Sequence, residues 1–292
     1  MIRLATFKRA AVAAHLMLMP FVASYAHAAV ICGDMLSRSI PTRSAGADTG
    51  SNVMERLMSQ NGANRDAAVA QELLAGNIPA HLRHLTPVSV DGTLSDGQKV
   101  EVTICVTPDY LAVGSDTDSV RIPLGLPAAA RIADQFGFFL PTTRMVDAIY
   151  AQAKVRLAPS PMKPTNQMTT TSYLLRHSAT VDAMRARVTP LLGALVAGQK
   201  KDVVLTTRLL SKRGQVAIYG WHRTNGRPIQ PLSTVHGAQY ADYSHGIRLV
   251  SQTAYVNGQP QPLSQILSDP QLATLVSSEG PVNATRLQSS LY

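Results

Sequence analysis

Between Lys99 and Thr107 the chain alternates without interruption. Val100, Val102, Ile104 and Val106 fall on one side; Glu101, Thr103 and Cys105 fall on the other. A period of two marks a strand with one face turned to a core. A shorter apolar stretch, Thr86 to Val90, lies upstream, with turn signals at Asp91-Gly92 and Asp96-Gly97 between the two. Tyr110 to Val113 and Val120 to Ile122 are further strand candidates downstream. This part of the chain therefore predicts an antiparallel sheet buried on one face.

Helical spacing flanks that sheet. Asn64-Arg65-Asp66 opens a helix ending near Gly76-Asn77. Residues 127 to 137 and 142 to 157 read as two more, with Pro127 in a first turn and Thr142 as an N-cap. Residues 172 to 188 form another. Strands return at Val203 to Leu205 and Gln215 to Trp221. Asn225-Gly226 predicts a hairpin that lays Ile229-Gln230 beside Trp221, and Asn257-Gly258 predicts a second, after a strand at Gly246 to Val250. The expected fold is α+β, a mostly antiparallel sheet with flanking helices and a β-rich C-terminal region.

The N-terminus reads as a secretory signal over residues 1–28. Arg3, Lys8 and Arg9 precede an apolar run, which closes at Ala26-His27-Ala28. That run is too short for a transmembrane helix, and no later segment is long enough to span a membrane. The expected product is a secreted or periplasmic protein starting near Ala29. Cys32 and Cys105 are the only cysteines, and export would favour a disulfide between them. Residues 29–157 form an N-terminal α+β region and 172–292 a C-terminal one. Between them, 158–171 (APSPMKPTNQMTTT) is a Pro/Thr-rich linker or a long ordered loop.

The formal charge of +9 drops to +6 once the three basic residues of the signal are removed. Such an excess suits an anionic or polysaccharide envelope polymer as partner. Basic runs interleaved with aromatics are absent, which argues against nucleic acid.

Chemistry concentrates between residues 219 and 248. His222, His236 and His245 are half of the six histidines that follow the signal, and Trp221 is the sole tryptophan. Asp242, Arg248, Tyr219, Tyr240 and Tyr243 complete the set, read as one cleft formed where paired strands end. His236, Asp242 and His245 could ligate Zn²⁺, with His222 as a fourth ligand or acid/base. Without a metal, a histidine could take a proton while Asp242 orients it and Arg248 stabilises negative charge. A serine nucleophile at Ser244 fits worse, because Asp242 stands where an elbow needs a small residue. Tyr219, Trp221, Tyr240 and Tyr243 would stack on sugar rings. His, Tyr and Asp bonding one another as a brace would need no catalysis at all.

His236-Gly237, followed by Ser244-His245-Gly246-Ile247-Arg248, is similar to the active-site signature of peptidoglycan L,D-transpeptidases. The likeness covers about fourteen of 292 residues. Ile247 stands where that signature carries its cysteine, so the thiol chemistry is not implied. Zinc peptidases of cell-wall crosslinks also combine two His with one Asp, at a different spacing.

Outside the segment, Lys200-Lys201 reads as a solvated strand start and His177 as a surface or half-buried helix residue. The resulting expectation is an exported hydrolase of a cell-envelope or extracellular polymer. The alternative is a non-catalytic exported carbohydrate- or envelope-binding protein.

Overall fold

The alternating strand lies at the centre of the molecule. In the computed structural model, which describes residues 32–33, 37–188 and 193–292, Lys99–Val106 pairs with one neighbour from each half of the chain. The signal expected over residues 1–28 lies outside the described residues.

In chain order, α1 (Gly50–Arg56), α2 (Gly62–Leu74) and a 3₁₀ turn (Ala80–Arg83) precede β1 (Thr86–Thr93) and β2 (Lys99–Val106). Then come β3 (Ala112–Gly114), β4 (Ser119–Arg121), α3 (Leu126–Gln135), β5 (Phe138–Phe139), α4 (Thr143–Gln152) and β6 (Val155–Arg156). Helix α5 (Thr171–Ala186) leads to β7 (Val196–Ala197), β8 (Lys201–Val203), α6 (Arg208–Ser211), β9 (Ile218–His222) and β10 (Pro228–Ser233). The chain finishes with β11 (His245–Gly246), β12 (Val250–Val256), β13 (Gln259–Pro262), α7 (Leu263–Ser268), α8 (Ala273–Val276) and α9 (Ala284–Ser289).

The fold is mixed α+β. One sheet runs β1-β2-β12-β13, with β5 also on β12; a second runs β10-β9-β8-β11. Pairing is antiparallel except for β8 with β11 and β6 with β7. The first sheet unites residues 86–106 with 250–262, so its core draws on both halves. The caps act as their side chains predict: Thr142 accepts from the Met145 N–H, and Thr170 from that of Tyr173.

Three expectations change. Asp91-Gly92 is not a turn but lies inside β1, paired with Glu101 and Val100, and its glycine leaves room for Leu275 of α8; the reversal comes at Asp96-Gly97. From Thr103 onward β2 is buried on both faces rather than one. The strand expected at 246–250 divides into β11 and β12, because Ile247 and Leu249 instead accept backbone bonds from Leu111 and Thr107.

The segment 158–171 makes the contacts of an ordered loop. Met162 and Met168 pack on Tyr173, Leu174, Trp221 and Tyr243, and the Tyr243 hydroxyl accepts from the Met162 N–H at 2.8 Å.

Cys32 and Cys105 form a disulfide, tying the chain ahead of α1 to β2 across 73 residues. Among the described residues no helix is long and apolar enough to cross a membrane. Closing a loop of this size restricts the unfolded chain. Replacing both cysteines by serine should therefore lower the unfolding free energy by about 2–4 kcal/mol, measured by urea denaturation of the oxidised protein and the variant.

Candidate functional site

Strand β9 departs from regular alternation. Gly220 has φ 101° and Trp221 φ 55°, so a bulky residue follows glycine into the left-handed region. Such a conformation is strained and persists only where the surroundings enforce it. The result is a split. Tyr219 and His222 end on one side, with ring centroids 6.0 Å apart, while Trp221 turns to Tyr243, 6.4 Å away.

On the first side, Asp147 of α4 collects both partners. The Tyr219 hydroxyl donates to it at 2.9 Å, and His222 Nε2 lies 2.9 Å from Oδ1. Tyr150 stacks flat on the buried His222 ring at 4.5 Å. Desolvation and the Asp147 charge push the Tyr219 hydroxyl up. These residues, with Arg156 and the 224–228 turn, line a groove of about 470 Å³.

The second cluster is the 236–246 segment. Backbone bonds hold it in place: the Val216 N–H donates to the His236 carbonyl at 2.9 Å, and the Leu126 N–H to that of Ala238 at 2.8 Å. The exposed His236 ring lies on Tyr240 at 4.1 Å, 16° from parallel. The Tyr240 hydroxyl donates to Asp242 Oδ2 at 3.2 Å. Ser244 donates twice to Oδ1, from its N–H at 2.7 Å and its hydroxyl at 2.5 Å. Burial opposes ionisation of Asp242, yet His245, the Ser244 bonds and Lys201 hold its carboxyl below the usual range.

His245 sits at the inner end. Strand β11 lies parallel to β8, opposing His245 to Lys201 and Gly246 to Asp202. Gly246 has to be glycine, since a Cβ there would meet the Tyr110 ring at 2.6 Å. The His245 imidazole is fully buried, and neither nitrogen has a hydrogen-bond partner. Burial draws its pKa down to about 4; Asp242 opposes this, while Lys201, His236 and Lys200 reinforce it. Tyr240 meets the imidazole edge-on at 5.8 Å.

Two lysines adjoin the cluster. Lys201 places its ammonium 5.1 Å from the Trp221 ring centroid. Lys200 is buried and donates to the Tyr243 carbonyl at 2.6 Å; burial and Arg121 bring its pKa down to about 7. The expected solvated strand start therefore applies to Lys201, half-buried, but not to Lys200. His177 is also fully buried, 4.9 Å from the Tyr243 ring, with its pKa drawn down to about 3 chiefly by burial.

The expected single cleft is therefore two places. His222 and Tyr219 stand with Asp147, whereas His236, Tyr240, Asp242 and His245 stand together. Arg248 belongs to neither. Its guanidinium is buried over Tyr110 at 4.3 Å and donates to the Thr107 and Val196 carbonyls. Trp221 and Tyr243 lack free faces for sugar stacking, because the 158–171 loop and Tyr173 cover them. Among the described residues no three His, Cys, Asp or Glu side chains are grouped to hold a metal ion. The trio His236, Asp242 and His245 does not fit Zn²⁺: the Asp242 oxygens are already engaged and the His236 ring lies flat on Tyr240.

Sequence reasoning did not anticipate Asp147 or the buried Tyr110–Asp202 pair, in which the hydroxyl donates at 2.8 Å. Asp147 lies on a helix patterned for packing, and Tyr110 and Asp202 meet across 92 residues of chain, so none gives a local signal. Comparison of the chain with protein-family models, curated proteins and solved structures found no match.

The histidines give a pH dependence. His245 and His177 have folded pKa values of about 4 and about 3, below the ordinary 6.5. Between those values the unfolded chain binds the extra protons, so stability is fully present above pH 6.5 and is lost as pH falls. Each histidine should contribute roughly 1–3 kcal/mol to that loss. Urea denaturation from pH 7 to pH 4 should give a shallower decline for His245→Gln than for the wild type.

Proposed function

We propose that the chain is an exported hydrolase acting on a cell-envelope or extracellular polymer, peptidoglycan or another polysaccharide, by acid–base chemistry at the Asp242–His245 cluster. The observation that carries this reading is His245: a buried imidazole with both nitrogens unpaired, beside an ionised carboxylate and two lysines. Buried polar atoms without partners are rare in folded proteins and call for a specific reason. Strongly perturbed titratable groups gathered in one place are a feature of catalytic sites.

In this reading His245, neutral at pH 7, is in the form that accepts a proton from an attacking water. Asp242 stabilises the imidazolium that forms, and Lys201 faces the developing negative charge. His236, at the surface, gives a proton of its own to the leaving group; His245 then releases the proton taken from water and His236 regains one from solvent, which restores both rings. Tyr240, whose hydroxyl is fixed by Asp242, lies on the solvent side of His245, so substrate entry requires the His236–Tyr240 stack to swing aside. Export is supported by the Cys32–Cys105 disulfide.

A second reading, a non-catalytic envelope-binding protein, is favoured by one observation: both Asp242 oxygens are occupied by Ser244 and Tyr240. Digestion separates the two. Purified sacculi and a panel of acidic polysaccharides are incubated with protein and read by mass spectrometry. The hydrolase reading expects new fragments from wild type, with His236→Ala and Asp242→Asn slower by roughly 10²–10⁴-fold while circular dichroism is unchanged. Polymer that is bound but left intact by wild type would instead favour the binding protein.

A further inference from the structure

A cavity larger than the groove at His222 borders the 236–246 segment but includes none of the titratable residues of either cluster. It encloses about 900 Å³, and Ala238 and Gln239 form part of its wall. That volume falls within the roughly 300–1,000 Å³ of small-molecule sites. Its floor is aliphatic: the buried side chains of Leu126 (α3), Leu209 (α6), Val282 and Leu287 (α9) reach it. At its edge Leu210 is 57% exposed, one of few large apolar side chains so open to solvent.

Its charged lining has one sign. Lys212, Arg213 and Arg286 are exposed and line the cavity, and no Asp or Glu does. None of the three forms a salt bridge among the described residues. Four arginines do form salt bridges among the described residues, Arg56 with Asp48 and Glu72, Arg65 with Asp66, Arg121 with Asp109 and Asp182, and Arg185 with Asp109, while most others form none. Three unpaired cations around an apolar floor form a field that attracts an anion and a surface that excludes water from hydrocarbon.

The lining also discriminates between anions. A sugar polymer would find one aromatic side chain, Tyr292, whose hydroxyl is already donated to Asp134 at 2.7 Å. An extended polyanion would gain nothing from Leu209, Leu210 and Val282. A single hydrocarbon chain carrying one anionic head satisfies both features, with the tail on the leucines and the head between the cations.

We propose that this cavity binds a long-chain carboxylate, one acyl chain per protein, independently of any hydrolysis at Asp242 and His245. The bound chain lies along Leu126, Leu209, Leu210 and Leu287, and the carboxylate pairs with Lys212, Arg213 and Arg286.

The test is calorimetric titration of the full chain, disulfide intact, with oleate held below its critical micelle concentration. Saturable binding at one equivalent is expected. Leu210→Asp, and separately the triple change Lys212→Glu, Arg213→Glu and Arg286→Glu, should each weaken it by roughly tenfold or more. These are exposed positions, and circular dichroism verifies that the variants fold. Oleyl alcohol, without the charge, should bind more weakly than oleate. The proposal is overturned if folded wild type takes up no oleate, or if the triple variant binds it as well as wild type. It is equally overturned if an acidic oligosaccharide or anionic vesicles bind through these three cations while oleate does not. Because no arm reads bond cleavage, failure here leaves the hydrolase reading untouched, and failure of that reading leaves this one standing.

Discussion

One buried carboxylate holds the interior together. Asp109 accepts from Arg121 of β4 at 2.7 Å, from Arg185 of α5 at 2.9 Å and from Gln199 just ahead of β8 at 2.9 Å. Burial alone would raise its pKa, but Arg121, Arg248 and Arg185 bring it down to about 2. A buried charge is tolerable only when its partners are in place, and losing one partner leaves the rest uncompensated. The three elements that meet at Asp109 also position the candidate site: Gln199 precedes Lys200 and Lys201, and Lys201 pairs with His245. The β3–β4 pair, helix α5 and the start of the second sheet therefore meet at one carboxylate.

That shared interior explains why the histidines part company. Alternation along β9 would have put Tyr219 and Trp221 on the same face. The left-handed turn at Gly220 and Trp221 sends the indole into the cluster beneath the 158–171 loop and leaves His222 to face Asp147. The strain at Trp221 has to be offset by the packing of its ring against Tyr243 and by the Lys201 ammonium over it. Lys201 is also the residue that β8 sets opposite His245 of β11. Local strain and the unpaired His245 imidazole thus occur within one small region, together with the unpartnered Trp221 indole N–H and the equally buried and unpaired His177.

The sequence made the regular parts legible. The Lys99–Thr107 alternation became β2, the Thr142 cap started α4, and the Asn225-Gly226 hairpin laid β10 on β9. Cys32 and Cys105 paired as their number suggested. Density of His, Tyr and Asp pointed to the 236–246 segment because five of its eleven residues are of these three types. What stayed hidden was three-dimensional. Two positive φ values reversed the side of Trp221, which no residue pattern announces. Arg248 looked like a site cation, yet it is buried because two backbone carbonyls, at Thr107 and Val196, need its donors. Lys200 and Lys201 look alike in sequence, but the parallel β8–β11 pairing buries one and half-exposes the other. Asp147 lies 75 residues from its partner His222, on a helix whose pattern speaks only of packing.

The central claim is that His245 is held neutral and unpaired beside an ionised Asp242. It is tested most directly by following the ¹⁵N shifts of the assigned His245 ring through a pH titration of the folded protein. The structure predicts a neutral imidazole throughout the range from pH 7 to 5 and a midpoint near 4, shifted further down by Asp242→Asn, which removes the charge opposing the shift. A midpoint near the ordinary 6.5 would contradict it, because the imidazole would then be solvated or hydrogen-bonded and would hold no special place in the site.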